Sequence, residues 1–297
     1  MRLIRAATLT VSSLEGSKSL YCDWLDYQCV EQGFISKELA ASWDAPKTTG
    51  QPYVVLQPAS DAQVYIRMIE QPAVPSYEAL RSYGWAAIEI CNQNTLKVNS
   101  RMERSPFDII GPPKQLDGLP AIFAMQVKGP DKEIVYLTEI REDPATVHLP
   151  KAESFIDKLF ILVMACSNIE TSAAWIEKHL LMDKAESMNI VYSMINKAFK
   201  LPSDTRHALA TVKHEADVFL EIDAYPKETT IRKTNKGMLP PCAAIGSFIH
   251  PEFEKLMHIN KEQWITPPTH RAGVIYKGKR AGTLRDPDGT LIEIIEL

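Results

Sequence analysis

Several familiar marks of function are missing from this 297-residue chain. Its five cysteines (Cys22, Cys29, Cys91, Cys166 and Cys242) form no C-x-x-C pair. An odd, scattered count reads as reduced thiols in a cytoplasmic protein, not as a disulfide framework. With 33 Lys and Arg against 37 Asp and Glu the net charge is −4, and no basic run offers a groove for nucleic acid. The longest apolar stretch, LFILVMAC at 159–166, is too short to span a bilayer. The opening MRLIRAATLTV lacks the long apolar segment of a signal peptide and reads as a first strand. No G-x-G-x-x-G or G-x-x-x-x-G-K-[ST] loop is present to cradle phosphate. None of the seven histidines stands in an H-x-x-x-H pair. The expectations are a soluble chain without nucleic-acid or membrane partners and without a cofactor or metal.

What the chain does contain is an internal repeat. Residues 6–27, AATLTVSSLEGSKSLYCDWLDY, and 161–182, ILVMACSNIETSAAWIEKHLLM, share one layout of strand, polar cap and amphipathic helix; Leu14 falls opposite Ile169, 155 positions on. AQVYIRMIEQP (62–72) matches ADVFLEIDAYP (216–226), and WAAIEI (85–90) matches CAAIGS (242–247). GPP (111–113) parallels TPP (266–268), and GPDKEIVYLTEI (129–140) parallels DPDGTLIEIIEL (286–297). Collinear matches at a nearly constant offset indicate a tandem duplication. The division falls into 1–143 and 155–297, joined by a linker at 144–154 with prolines and charges.

Each half divides again. In the first, a strand at 5–12 precedes a helix at 14–25 capped by Ser12 or Ser13, and strands follow near 52–57 and 62–70. A second unit opens with a strand at 84–91 and a helix at 95–104, then strands near 107–111, 121–127 and 133–140. Before the middle one, 112–120 reads as a loop. The second half repeats the plan, with Pro251 introducing a short helix at 251–258. The inserts at 34–53 and 187–209 read as core packing, with a lid over a cup mouth or a homodimer contact as the alternatives.

Paired βαβββ units that end in D-P-D-G-x-x-I-E resemble the vicinal oxygen chelate superfamily, the group of glyoxalase I, extradiol dioxygenases and bleomycin-resistance proteins. The resemblance covers nearly the whole chain. It implies an α+β fold of tandem glyoxalase-like domains, each built of two βαβββ units curled into a mixed sheet around a cup. It also implies where a metal would sit, and there this sequence departs from the pattern. The corresponding positions are Ala6, Trp85 and Tyr136 in the first half and Ile161, Cys242 and Glu293 in the second. A stable divalent site needs three or more donors in one shell, and in the second half Glu293 is the only hard one.

Strand alternation under that register places Thr8, Tyr65, Arg67, Trp85, Glu89, Tyr136 and Thr138 together in an N-terminal cup. The second cup would hold Ile161, Val163, Phe219, Glu221, Cys242 and Glu293. Arg67 and Glu89 can be an ion pair bridging strands. Equally, Arg67 can anchor a substrate carboxylate while Glu89 moves a proton and Tyr136 donates to an enolate oxygen. Tyr65, Trp85, Thr8, Thr138, Glu293 and His250 are the candidate substrate-binding residues. His250 qualifies because it ends a strand just before Pro251. His179 reads as a surface residue, and His207, His214 and His270 fall in loop-like sequence. The leading expectation is a metal-independent lyase or isomerase acting on a hydrophobic or aromatic carbonyl- or carboxylate-bearing small molecule. The alternatives are a non-catalytic binding protein that sequesters such a molecule, or a metal-dependent dioxygenase or glyoxalase.

Overall fold

The computed structural model describes residues 3–116, 119–142 and 148–297. Four βαβββ units follow one another. The first comprises β1 (Ile4–Val11), α1 (Leu14–Leu25), β2 (Tyr27–Phe34), α2 (Lys37–Ser42), β3 (Pro52–Pro58) and β4 (Tyr65–Glu70). The second has β5 (Gly84–Asn92), α3 (Thr95–Met102), β6 (Asp108–Leu116), β7 (Leu119–Lys128) and β8 (Ile134–Ile140). In the third are β9 (Ile156–Cys166), α4 (Ile169–Leu180), β10 (Asp183–Val191), α5 (Ser193–Phe199), β11 (Arg206–His214) and β12 (Asp217–Ala224). The fourth holds β13 (Cys242–His250), α6 (Phe253–Ile259), β14 (Thr269–His270), β15 (Arg280–Arg285) and β16 (Leu291–Glu296). Among the described residues no helix is long and apolar enough to cross a membrane.

Local chemistry sets the helix boundaries. Ser13 is the cap of α1, its hydroxyl accepting the Gly16 N–H at 3.3 Å, and the helix stops at Asp26, whose φ of 58° is left-handed. Asn94 and Asn168 cap α3 and α4 in the same way, at 2.9 and 2.8 Å. Ser12, the other candidate cap, instead binds Asp131 through its backbone N–H and its hydroxyl.

The units pair crosswise. One sheet runs β14-β15-β16-β13-β1-β4-β3-β2 and the other β10-β11-β12-β9-β5-β8-β7-β6. The first unit therefore closes with the fourth through antiparallel β1 and β13, Ala7 opposite Gly246. The second closes with the third through antiparallel β5 and β9, Ile88 opposite Leu162. The fold class is the one expected, two curled mixed sheets of paired βαβββ units. The partnership differs, because each sheet draws one unit from either half of the chain, and an N-terminal cup made by residues 1–143 alone does not form.

Other departures are local. Strand β2 escapes sequence reading because it is an edge strand with mostly exposed side chains, which erases the alternation. The stretch read as a loop at 112–120 belongs largely to the β6–β7 hairpin. The expected linker at 144–154 lies partly outside the described residues. His207 and His214 sit in β11 and His270 in β14, not in loops. His179 is not a free surface side chain: it stacks on Trp175 and bonds Asn260 at 2.7 Å.

A continuous apolar core lies between the two sheets and under the helices, with Leu9, Ile66, Ile88, Leu137, Leu162 and Phe248 among its members. The D-P-D-G turn helps to lock the units. Asp286 Oδ1 accepts the N–H groups of Asp288 and Thr290, Gly289 takes a φ of 87°, and the Asp288 carboxylate accepts the Ser167 N–H ahead of α4. Asp131 makes the equivalent contacts to Ser12 and Ser17 at the start of α1.

Where the sheets meet, Gly246 has no room for a side chain. A Cβ there would stand 2.5 Å from Trp85 Cζ2 and 2.8 Å from Leu162 Cδ1. Gly246→Ala is expected to destabilise the fold by about 1–3 kcal/mol, the usual cost of overpacking a filled core. Urea titration of the two proteins checks this, and an unchanged midpoint would contradict the close approach.

Candidate active site

The two cups are opposites in content. The first, formed by units one and four, is filled with side chains. Glu293 lies fully buried on β16, opposite Ser247 on β13. Its Oε2 accepts from Ser247 Oγ at 2.8 Å, while Oε1 accepts from Trp43 Nε1 at 3.0 Å and from Arg271 Nη1 at 2.5 Å. Tyr276 Oη lies 3.0 and 3.1 Å from the two oxygens and accepts from Arg67 Nη1 at 2.8 Å. Arg67 also donates to Thr8 Oγ1, stands 3.8 Å from Glu293 Oε2, and lies over the Trp43 ring. Burial by itself would push the Glu293 carboxyl up, but Arg271 and then Arg67, helped by Trp43 and Ser247, outweigh it and hold the group below the ordinary carboxylate range.

This arrangement answers whether Glu293 could hold a metal. A cation does neutralise it, but the cation is guanidinium, and both oxygens are already occupied by donors. At the other implied positions Ala6, Ile161 and the indole of Trp85 offer no suitable donor, and the Cys242 thiol is pushed up to about 11 by burial. Among the described residues no three His, Cys, Asp or Glu side chains gather as a metal-holding group. The residues present do not fit the metal that the fold family implies.

The second cup, formed by units two and three, contains a cavity of about 110 Å³. Glu89 on β5 and Glu221 on β12 both line it. Glu89 is 8 % exposed, and Thr138 on β8 donates to its Oε1 at 2.6 Å. Burial, and then the charge of Glu221, push the Glu89 carboxyl up to about 8 despite that hydrogen bond. Burial also raises Glu221, which accepts a hydrogen bond from the Tyr192 hydroxyl. Asp223, two residues along the same strand and fully buried, is driven well above its ordinary range by burial and by Glu221, so this pair retains a proton. Tyr136, opposite Glu89 on β8, is 5 % exposed, and its hydroxyl has no protein partner among the described residues. Gln126 and Thr211 add polar edges to walls of Phe160, Ile161, Leu209 and Met188.

The structure therefore divides the residues expected in one cup. Thr8 and Arg67 are in the first cup with Glu293, and Tyr65 is on the same sheet, its hydroxyl donating to Gln63 at 2.8 Å. Glu89, Tyr136 and Thr138 are in the second. Arg67 and Glu89 lie on different sheets and cannot form the expected pair, because β4 pairs with β1 while β5 pairs with β9. Trp85 faces neither cup: a register shift between Trp85 and Ala87 turns its ring into the core between the sheets, where Nε1 donates to Leu291 O at 2.9 Å. His250 is buried against His214, with Nδ1 accepting the Glu252 N–H, away from the cavity of the second cup. Phe219 likewise leaves its expected cup for a contact with Phe248, after a bulge in the β11–β12 pairing puts Val218 on the cavity side. Trp43, Arg271 and Tyr276 come from connecting segments and carry no sequence signal beyond the demand that a buried strand carboxylate makes for a cation. Glu221 and Thr211 follow from alternation once β12 and β11 are placed beside β9.

No protein-family model matches the chain, and no curated protein matches it. Solved structures do. Glyoxalase I from Zea mays superposes with a TM-score of 0.66 at 14% identity, covering 100% of this chain and 92% of that one. A putative dioxygenase from Bacillus subtilis superposes at 0.62 and 11% identity, covering 99% and 86%. The cppA protein from Streptococcus pneumoniae TIGR4 superposes at 0.51 and 10% identity, covering 100% and 99%. Together with the paired βαβββ sheets, these likenesses establish the vicinal oxygen chelate fold in its tandem, four-unit form.

Two outcomes follow from the contrast between the cups. Removing Glu293 leaves two buried guanidinium groups without their counter-charge, so Glu293→Ala should cost about 3–5 kcal/mol of stability, measured by denaturant unfolding. In the second cup the sign is reversed. Folded Glu89 keeps a proton that the unfolded chain releases above its ordinary carboxyl pKa, so stability falls as pH rises from about 4.5 to about 8 and levels off beyond. Glu89→Gln should therefore be more stable than the parent at pH 8, by on the order of a few kcal/mol, and should lose that advantage near pH 4. Melts of both proteins across this range check it; a difference that does not change with pH would refute it.

Proposed function

We propose that the protein is a metal-independent lyase or isomerase that moves a proton beside the carbonyl of a small, largely aliphatic molecule, and that the second cup is its active site. The observation that carries this reading is a buried glutamate, Glu89, held near pKa 8 in an apolar cavity next to an unpartnered tyrosine hydroxyl. A general base works best when its pKa lies near the working pH. Glu89 takes the proton from the carbon next to the carbonyl and returns it to the product. Tyr136, whose own pKa burial drives well above its ordinary value, stays protonated and donates a hydrogen bond to the oxygen where enolate charge develops. Thr138 orients the Glu89 carboxyl through its hydrogen bond.

Cavity size narrows the substrate. A dry cavity of about 150 Å³ takes benzene, so the smaller space here suits about five non-hydrogen atoms and not a ring system. A carboxylate anchor is also disfavoured. Arg67, expected to supply it, serves Glu293 in the other cup, and among the described residues no Lys, Arg or His lines this cavity. The apolar walls equally suit simple sequestration, and the same variant separates the two readings. Small ketones such as butanone should take up deuterium at the carbons next to the carbonyl faster with the protein in D2O than in buffer alone. Glu89→Gln should slow this by about 100-fold or more. Binding without accelerated exchange for any ketone would support sequestration instead.

A further inference from the structure

Every titratable group on the second cavity is an acid or a phenol. Glu89 enters from β5, Tyr136 from β8, Glu221 from β12 and Tyr192 from the turn before α5, with Asp223 and Tyr225 buried behind them. In the first cup a buried carboxylate is met by two arginines; in the second, carboxyl groups face a cavity that no cationic side chain lines among the described residues. The hydroxyl of Tyr136 has no hydrogen-bond partner among the described residues although the residue is 5 % exposed. Gln126 and Thr211 present further polar edges to the same space.

Resting on the assignment of this cup as the active site, we propose that its substrate carries a protonated amine, which Glu221 binds, backed by the buried carboxyl of Asp223 whose two oxygens have no hydrogen-bond partner among the described residues, in the position a basic side chain would otherwise take. An ammonium group there forms the ion pair that the protein leaves incomplete, and its alkyl body lies against Ile161, Leu209 and Met188. An ammonium group beside these carboxyls favours their ionised form over the protonated one. On binding, the retained proton leaves the Glu221–Asp223 pair for solvent, so the charge balance is one cation in and one proton out.

The test compares three probes of similar size, n-butylammonium, 1-butanol and butyrate, on the full-length protein by isothermal titration calorimetry. Running each in two buffers of different ionisation heat counts the protons released. The expected order is butylammonium, then butanol, then butyrate, with proton release for the amine alone. Glu221→Gln should weaken butylammonium by about 30-fold or more, the loss expected when one partner of a buried charge pair is removed. Butanol binding should stay nearly unchanged, which also shows that the variant is folded; Asp223→Asn should weaken the amine in the same direction. Butanol or butyrate binding as tightly as the amine, failure of all three to bind, or an amine preference unaffected by Glu221→Gln would each overturn the proposal. Ketone exchange that persists without an amine preference removes this inference alone. An amine preference without exchange removes only the proton-transfer reading.

Discussion

The antiparallel contacts of β1 with β13 and of β5 with β9 organise the rest of this molecule. Each joins a unit from one half of the chain to a unit from the other, so neither half closes a sheet by itself. These contacts decide which side chains meet. Because β1 lies between β4 and β13, Arg67 reaches toward Glu293, more than two hundred residues away. Because β5 lies between β8 and β9, Glu89 shares a cavity with Glu221 on β12. Gly246 and Trp85 then pack the two sheets together at a separation that admits no additional carbon.

The two cups handle the same physical problem, a carboxylate removed from water, in different ways. In the first, Arg271 and Arg67 neutralise Glu293, and Trp43, Tyr276 and Ser247 satisfy its oxygens. Both carboxylate oxygens of Glu293 are thereby engaged, while Arg271 Nη2 is buried without a hydrogen-bond partner among the described residues. In the second, no cation is provided, so burial raises the carboxyl groups until they hold protons. Such a site is costly to stability above neutral pH, whereas in the first the carboxylate stays ionised. The two cups thus share one sheet plan and differ in charge balance.

Much of the architecture could be read along the chain. The bounds of α1, the caps at Ser13 and Asn168, the βαβββ rhythm and the repeat all depend on neighbours within a few residues or on direct comparison of segments. Strand faces were legible wherever the ladder is regular, as for Glu89, Tyr136 and Glu221. They were not where a bulge intervenes: a single register shift turned Trp85 into the core, and another exchanged Phe219 for Val218. His250 was plausible by alternation, yet packing placed it against His214.

What the sequence determined by itself is therefore the set of parts: four units, their helices and caps, the apolar and polar faces of most strands, and a glutamate on the last strand without metal co-ligands. Only the tertiary structure decided how the parts are shared. The free edge of β1 can accept either β5 or β13, since backbone hydrogen bonds are alike in both pairings and no local pattern distinguishes them. That choice separated Arg67 from Glu89 and joined it to Glu293. It also left Glu89 with Glu221 in a cavity that, among the described residues, no basic side chain lines.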